Sequence, residues 1–377
     1  MKKYKAIVVG GSGLGVQIAH QLVSYGIKPV ALIEKNSLAS GLTSKSGGML
    51  KVFQDHPALS DLALESQAFY MQALTSKKTA HFKQTGALTF LAKSQLHKAR
   101  QEIRRLQARG AQIDLLSAKS AREILPSLQW NESDFAVYEP QSGLLNASEL
   151  SRALAMESEK QGLDIFENLK VLEFIADGHK ISGVKTEQGD FCAPLTIMAA
   201  GAQTVDLLRS IGIGLEINVQ PILYNEYHIE GVAETSPTVF EKRHTHRARI
   251  EVQPTGGCKL TLLVPTLDGT LQCGESLLAE SQESKLAIKR LTQNFPFLKN
   301  AKWTTGSCIY DLQNTSSPGT LGFVPGYNGL YSVFGWGHAG LTLAPAISRQ
   351  VMRQIHRVFQ RSTAPTEQTN TTMSHLG

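Results

Sequence analysis

The sequence predicts an α/β fold that opens on a Rossmann-type nucleotide-binding unit. Three observations carry this. An apolar strand runs into a glycine-rich turn and an amphipathic helix, a second apolar strand ends on an acid, and the 377 residues suffice for two domains of ~100–200 residues each.

Ala6 to Val9 form a short apolar run, as expected of a strand buried on both faces. After the turn GGSGLG, Leu14, Ile18, Ala19, Leu22 and Val23 recur at helical spacing, and Gly26 is placed to stop the helix. PVALIEK supplies the second strand, which reaches Glu34. In this layout the helix N-terminus meets a pyrophosphate and the terminal acid accepts ribose hydroxyls. Counted from Gly10, the pattern G-x-G-x-x-G requires glycine at positions 10, 12 and 15, and position 12 is serine. Ser12 adds a Cβ and a hydroxyl where the backbone normally approaches the phosphates. Gly11 and Gly13 keep the loop permissive, and a hydroxyl can donate to a phosphate oxygen. A nucleotide site is expected; NAD and FAD are both compatible with this segment.

Composition narrows the class. The chain is 42% hydrophobic and 19% charged with a net charge of +6, an ordinary globular balance. Its basic residues are scattered apart from EIRRLQAR, so no nucleic-acid partner is indicated. Cys192, Cys258, Cys273 and Cys308 are far apart and form no CxxC, which suggests reduced thiols in a cytoplasmic protein. The apolar run after MKKYK is too short for a signal peptide, and no stretch approaches the ~20 apolar residues of a membrane span. The tail from 361 to 377 is nearly devoid of apolar residues and is expected to lack structure.

Further along, LASGLTSKSGGML (38–50) sets hydroxyls and glycines beside the nucleotide site, suited to wrapping a diphosphate. Asn146 and Glu149 in EPQSGLLNASEL form a capping-box pattern before a helix with Leu150 and Leu154 on one face. Asp177-Gly178 reads as a hairpin turn between VLEFIA and ISGVKT. TIMAAGAQTVDLL, LLVPTLDGTLQCGES and GWGHAGLTLAP follow in order. Together these segments resemble the FAD-dependent D-amino-acid oxidase superfamily, in its glycine oxidase and sarcosine oxidase branch, over nearly the whole chain.

That resemblance implies FAD as cofactor and a discontinuous FAD-binding domain over 1–85, 140–218 and 310–360. Residues 86–139 and 219–309 would then build a substrate domain around an antiparallel sheet covering the re face of the pocket. The cofactor-binding residues it implies are Gly10, Ser12, Gly13, Gly15, Glu34 and Lys35; Ser40, Thr43, Ser44, Gly47, Gly48 and Met49; Val171, Ala200 and Gly201; and His338, Gly340, Leu341 and Thr342. A helix starting near Leu341 would aim free amides and its positive dipole end at the negative charge of a reduced flavin. The helix expected at 94–109 turns Leu96, Ala99, Ile103 and Leu106 inward and basic residues to solvent.

The activity implied is oxidation of a C–N bond of an amine or amino acid by hydride transfer to flavin N5. The electron acceptor (oxygen, a quinone or a protein) stays open. At the substrate end the sequence departs from the family. Relatives carry W-x-G-x-R-P-x-T-P-D-x-x-P-x-x-G, whose arginine holds the substrate carboxylate. Here, in SCIYDLQNTSSPGTLG (307–322), the arginine position falls on Asp311 and the aspartate of T-P-D on Ser316. Either another residue holds the carboxylate, Lys51 being the best cationic substitute, or the substrate lacks one. Tyr224 and Tyr310 are candidate aromatic walls, with Lys51 and Asp311 the other candidate catalytic residues. Cys308, in a C-x-Y segment, resembles the cysteine that attaches FAD in monomeric sarcosine oxidase-like enzymes, though its spacing is off by about one residue. His244 and His246 would share one strand face, formally half a metal site. With Lys242, Arg243, Arg247 and Arg249 around them, a basic surface ribbon is expected and no metal. The loss of both the arginine and T-P-D also motivates an alternative, a flavoprotein that serves as maturation or binding partner of another enzyme.

Overall fold

The computed structural model describes residues 2–76, 82–126, 129, 134–214, 217–230, 237–242, 247–252, 258–265, 277, 279–314, 319–361 and 374–375. The opening unit forms as its sequence dictates. Strand β1 (Ala6–Val9) is buried along its whole length. It runs through the glycine turn into helix α1 (Gly13–Ser24), whose Ile18, Ala19 and Leu22 are buried. Strand β2 (Val30–Ile33) lies parallel to β1 with Ile7 opposite Ala31. Around this pair grows a seven-stranded sheet, in the order Leu163–Phe166, β2, β1, Thr196–Met198, Leu330–Phe334, Thr320–Phe323 and Ser374–His375. Its first five strands are parallel, and Thr320–Phe323 runs antiparallel. Ser374–His375, part of the tail expected to lack structure, pairs with Thr320 and Leu321 and covers the open edge.

One face of this sheet packs Val8, Leu32 and Ile197 against Ile18 and Leu22 of α1 and against Leu343 and Ile347 of a long C-terminal helix. The other face packs Ile7, Val9 and Ile33 against Phe174, Val184 and Phe191 of a four-stranded sheet. The hairpin expected at Asp177-Gly178 joins Val171–Asp177 to Lys180–Thr186 in that second layer.

A separate eight-stranded sheet draws on two distant parts of the chain. It contains Ala87–Phe90, Asp114–Ser117, β3 (Phe135–Glu139), β4 (Ile217–Ile229), β5 (Thr238–Glu241), β6 (Arg247–Val252), β7 (Cys258–Pro265) and β8 (Lys302–Asn314). The spatial order is β8, β4, β7, β6, β5, Ala87–Phe90, β3, Asp114–Ser117. It is not wholly antiparallel as expected: β5 and Ala87–Phe90 pair in parallel, Phe240 opposite Thr89. This seam joins two segments that no hairpin connects, so no turn imposes a direction on it. Leu223, Tyr227 and Leu260 pack on one face with Ala287 and Leu291 of helix Gln282–Leu291. The helix expected at 94–109 spans Leu96–Gln107 and buries Ala99, Ile103 and Leu106. Among the described residues no helix is long and apolar enough to cross a membrane.

Ser12 has a structural role in this frame. It is the N-cap of α1, its Oγ accepting the Gly15 amide at 3.4 Å. Ser12→Ala should lower unfolding free energy by about 1 kcal/mol and Ser12→Gly by only a few tenths. Chemical denaturation of the two variants checks the difference, and equal losses would remove the capping role.

Candidate active site

Four chain segments predicted to hold the nucleotide converge on the turn between β1 and α1. The Gly13 amide donates to Thr43 Oγ1 at 2.9 Å, and the Ala39 amide donates to the Gly11 carbonyl at 2.9 Å. A Cβ at Gly10 would stand 2.4 Å from the Ala199 carbonyl oxygen, and one at Gly13 would stand 2.7 Å from Leu341 Cδ1. Glu34, at the end of β2, turns one oxygen to the Gly11 amide at 2.6 Å and the other to the Asn36 amide at 2.9 Å. The Leu169 amide donates to the Glu34 carbonyl at 2.9 Å, which leads the chain past the acid to Val171. Among the described residues a Cβ at Gly41 or Gly201 would meet nothing within 4 Å, so there both flanks of the loop are open. Lys35, Ser40 and Ser44 lie exposed beside it, while Ala200 is half-buried. An open-flanked glycine turn, a helix N-terminus and a carboxylate held against the loop suit a dinucleotide.

Helix α2 (Gly340–Arg361) begins beside this turn. Thr342 Oγ1 donates to the Met49 carbonyl at 2.9 Å, and Tyr70 donates to the Leu341 carbonyl at 2.6 Å, fixing the first turn. Ala339, Leu341 and Thr342 line one side of a small cleft, with Ser46, Met49 and Gln54 alongside. The opposite wall is β5 and β6. Phe240 and Arg249 are direct cross-strand partners, hence on the same face, and Lys242 follows two residues after Phe240. Lys51 completes the lining.

Three cations therefore face one small cleft, each set differently. Lys51 is buried, donates to the Phe53 carbonyl, and lies 5.3 Å from the centre of the Phe240 ring. Lys242 pairs with Asp55 at 2.5 Å. Arg249 pairs through Nε with Glu251, donates through Nη1 to the Ser46 carbonyl, and reaches Thr261 Oγ1 through Nη2 at 3.2 Å. Its guanidinium occupies the place where a Gly47 side chain would be, against a backbone at φ +69°. Only glycine satisfies both conditions.

Lys242 and Arg249 correct the sequence expectation of a basic surface ribbon. Charges at alternate positions in RARIEV mark a polar strand face, and that face lines a cleft rather than open solvent. The period-2 signal was present but does not distinguish the two settings. His244, His246 and Arg243 lie outside the described residues. Tyr224 is buried and donates to Glu226, which also accepts Lys259 at 2.7 Å; Lys45 stands 5.8 Å from its ring centre. Burial, then the Glu226 carboxylate, pushes the Tyr224 hydroxyl well above the usual phenol range. Burial works against Glu226 ionisation, but the bonds from Lys259 and Tyr224 hold its carboxyl below the ordinary value.

Tyr310 and Asp311 pair through β8 with Pro221 and Gln220 of β4, and their side chains, like that of His338, lie outside the described residues. Ser316 also lies outside them. Ser307 accepts Lys45 at 2.6 Å on the face of β8 shared with Tyr224. The buried Cys308 therefore faces the other way, opposite Leu223 of the core. This register does not bring Cys308 to the cleft.

The family model described as DAO, FAD dependent oxidoreductase, matches residues 5–354. The chain belongs to this family. As a DAO-family protein it is an FAD-dependent oxidoreductase. It is similar to the sarcosine oxidase subunit beta of an Arthrobacter species, 26% identical over 385 residues covering 95% of this chain and 90% of that one. It is also similar to the glycine oxidase of Geobacillus kaustophilus, 25% identical over 94% of this chain and 93% of that one. The crystal structure of L-proline dehydrogenase from P. horikoshii superposes with a TM-score of 0.82 at 24% identity, covering 95% of this chain and 94% of that one, which shows the shared fold.

Proposed function

We propose that this DAO-family oxidoreductase oxidises the C–N bond of a small amine or amino acid whose carboxylate is held by Arg249 and Lys51. The reading rests on the cleft in which Arg249, Lys51 and Lys242 face the first turn of α2 across a space bounded by Met49, Phe240 and Leu341. It is consistent with amine and amino-acid oxidation by named relatives. Bound FAD supplies the acceptor for two electrons and a hydrogen. Gly10, Ser12, Gly13, Gly15 and Glu34 would hold its nucleotide half, with Lys35, Val171, Ala200 and Gly201 around it. Ser40, Thr43, Ser44, Gly47, Gly48 and Met49 would wrap the diphosphate, and His338, Gly340, Leu341 and Thr342 would face the ring.

The chain's own residues do the rest. Arg249 keeps a second N–H on each terminal nitrogen, which suits a carboxylate. It takes the role that the family pattern gives to the position of Asp311, so the substrate need not lack a carboxylate. The substrate binds as the neutral amine, its ammonium having lost a proton to water. The neutral amine carries the lone pair that C–N oxidation requires, and no dedicated base is needed. Phe240 and Met49 keep water from the reacting carbon, and the imine product hydrolyses on release. We further divide the chain as 1–85, 140–218 and 310–360 for cofactor and 86–139 and 219–309 for substrate, with the boundary near 310 moved to the end of β8 at Asn314. We further place the protein in the cytoplasm, where widely spaced thiols that form no CxxC stay reduced.

The test is anaerobic mixing of the flavoprotein with sarcosine, glycine and proline, and with methylamine and pyrrolidine. The carboxylated amines should reduce the flavin about 100-fold more efficiently, the value of one charged bidentate contact. Equal reduction by amines without a carboxylate would overturn the role of Arg249 and Lys51. A flavin inert to the whole panel would favour a cofactor-bearing partner protein instead.

A further inference from the structure

We infer that Glu139 is the positioning residue that sets Lys51 in the cleft, through a clamp on the turn that carries it. The inference rests on the reading of Lys51 as a carboxylate partner. Residues 51–54 belong to no helix or strand, yet their polar backbone groups are fastened. Glu139 Oε1 accepts the Val52 amide at 2.6 Å and the Phe53 amide at 3.0 Å. The Phe53 carbonyl accepts Lys51 Nζ, the Lys51 carbonyl accepts Gln54 Nε2 at 2.9 Å, and the Gln54 amide donates to Ser60 Oγ at 3.1 Å. Three of these five bonds form within the turn or from the adjoining helix; the two to Glu139 are the ones that tie the turn to the eight-stranded sheet.

The choice of an acid at this position has a reason beyond hydrogen bonding. Glu139 is 2% exposed, and its Oε2 accepts no hydrogen bond among the described residues. A buried carboxylate with one idle oxygen is costly unless a cation compensates it. Burial does push the Glu139 carboxyl upward, and the charge of Lys51, the two amide bonds and then Lys242 oppose that push. The cationic side chains that face it are thus the two lysines that line the cleft, one of them already paired with Asp55. A neutral amide in its place would keep an oxygen for the two N–H groups but would present a donor toward the ammonium. A side chain without oxygen would release the turn. Glu139 is not among the residues that line the cleft, so its effect on turnover passes through Lys51.

The experiment uses the holoprotein with Glu139→Gln, Lys51→Met and the double variant. Acetate binding is read from the flavin spectrum, and KM and kcat are measured with the best carboxylated amine. Glu139→Gln should raise the acetate Kd and the KM about tenfold, leave kcat within about threefold, and retain FAD; on Lys51→Met it should add less than about twofold. A wild-type KM and Kd in Glu139→Gln, or the same tenfold rise in the Lys51→Met background, would overturn the inference. Lys51→Met with unchanged Kd and KM would instead overturn the reading of Lys51 on which it rests. Should Glu139→Gln fail to retain FAD, Glu139→Asp keeps the charge one methylene short of the clamp. It should raise KM without lowering kcat, and a wild-type KM there counts against the inference.

Discussion

Gly15→Ala should give a protein that purifies without flavin and unfolds about 3 kcal/mol more easily. Two effects oppose each other at this site. Gly15 lies in the first turn of α1, where alanine is the better helix former by about 1 kcal/mol. The new Cβ, however, would stand 1.9 Å from the Gly10 carbonyl oxygen and 3.6 Å from the Ala199 side chain. The atom struck is backbone in the turn between β1 and α1, so relief requires moving the nucleotide-binding loop itself. Steric cost therefore outweighs propensity. Gly26→Ala is the control: its backbone is at φ +80°, but nothing lies within 4 Å of an added Cβ. It should cost only about 1 kcal/mol of left-handed strain and keep the flavin. Thermal unfolding with flavin absorbance measures both quantities, and a yellow, stable Gly15→Ala protein would contradict the packing described.

Arg249→Lys should reduce kcat/KM for a carboxylated amine about 100-fold while leaving the flavin spectrum and fold intact. Lysine keeps a positive charge beside Glu251, so the buried pair is not broken; its side chains are 12% and 6% exposed. What is lost is the planar fork that can meet both oxygens of a carboxylate while still bonding Ser46 and Thr261. Arg249→Met would confound the result, because an unpartnered buried carboxylate costs about 3–5 kcal/mol by itself. Comparing Arg249→Lys on carboxylated and carboxylate-free amines isolates the contact. An equal loss on both substrates would mean that Arg249 serves the architecture of β6 and not the substrate.

The opening unit was legible because its signals are local. An apolar run, a glycine turn and helical periodicity define β1, α1 and β2 within 34 residues, and Ser12 changes the motif without changing the geometry, since it caps the helix. The eight-stranded sheet was legible as strands but not as a topology. Nothing local to Thr238–Glu241 says that it will lie parallel to Ala87–Phe90. The cleft was half legible. Lys51 follows a motif with a recognisable neighbourhood, whereas Arg249 and Lys242 sit in a segment whose alternating charges look the same facing water or a substrate. Glu139 opens the legible segment EPQSGLLNASEL, yet nothing in it points to the clamp, whose bonds reach residues 86 and 87 positions away.

The strand order of the seven-stranded sheet also governs how the chain can be made. β1 leaves the ribosome nearly 200 residues before its second neighbour, Thr196–Met198, and that strand's outer neighbour, Leu330–Phe334, comes later still. Until Thr196–Met198 is made, one edge of β1 shows bare amides and carbonyls in a wholly apolar strand, a template for mispairing with another nascent chain. Contacts of such high sequence separation make closure slow. The nucleotide unit that is simplest to read in the sequence is thus completed only when strands far downstream join its sheet.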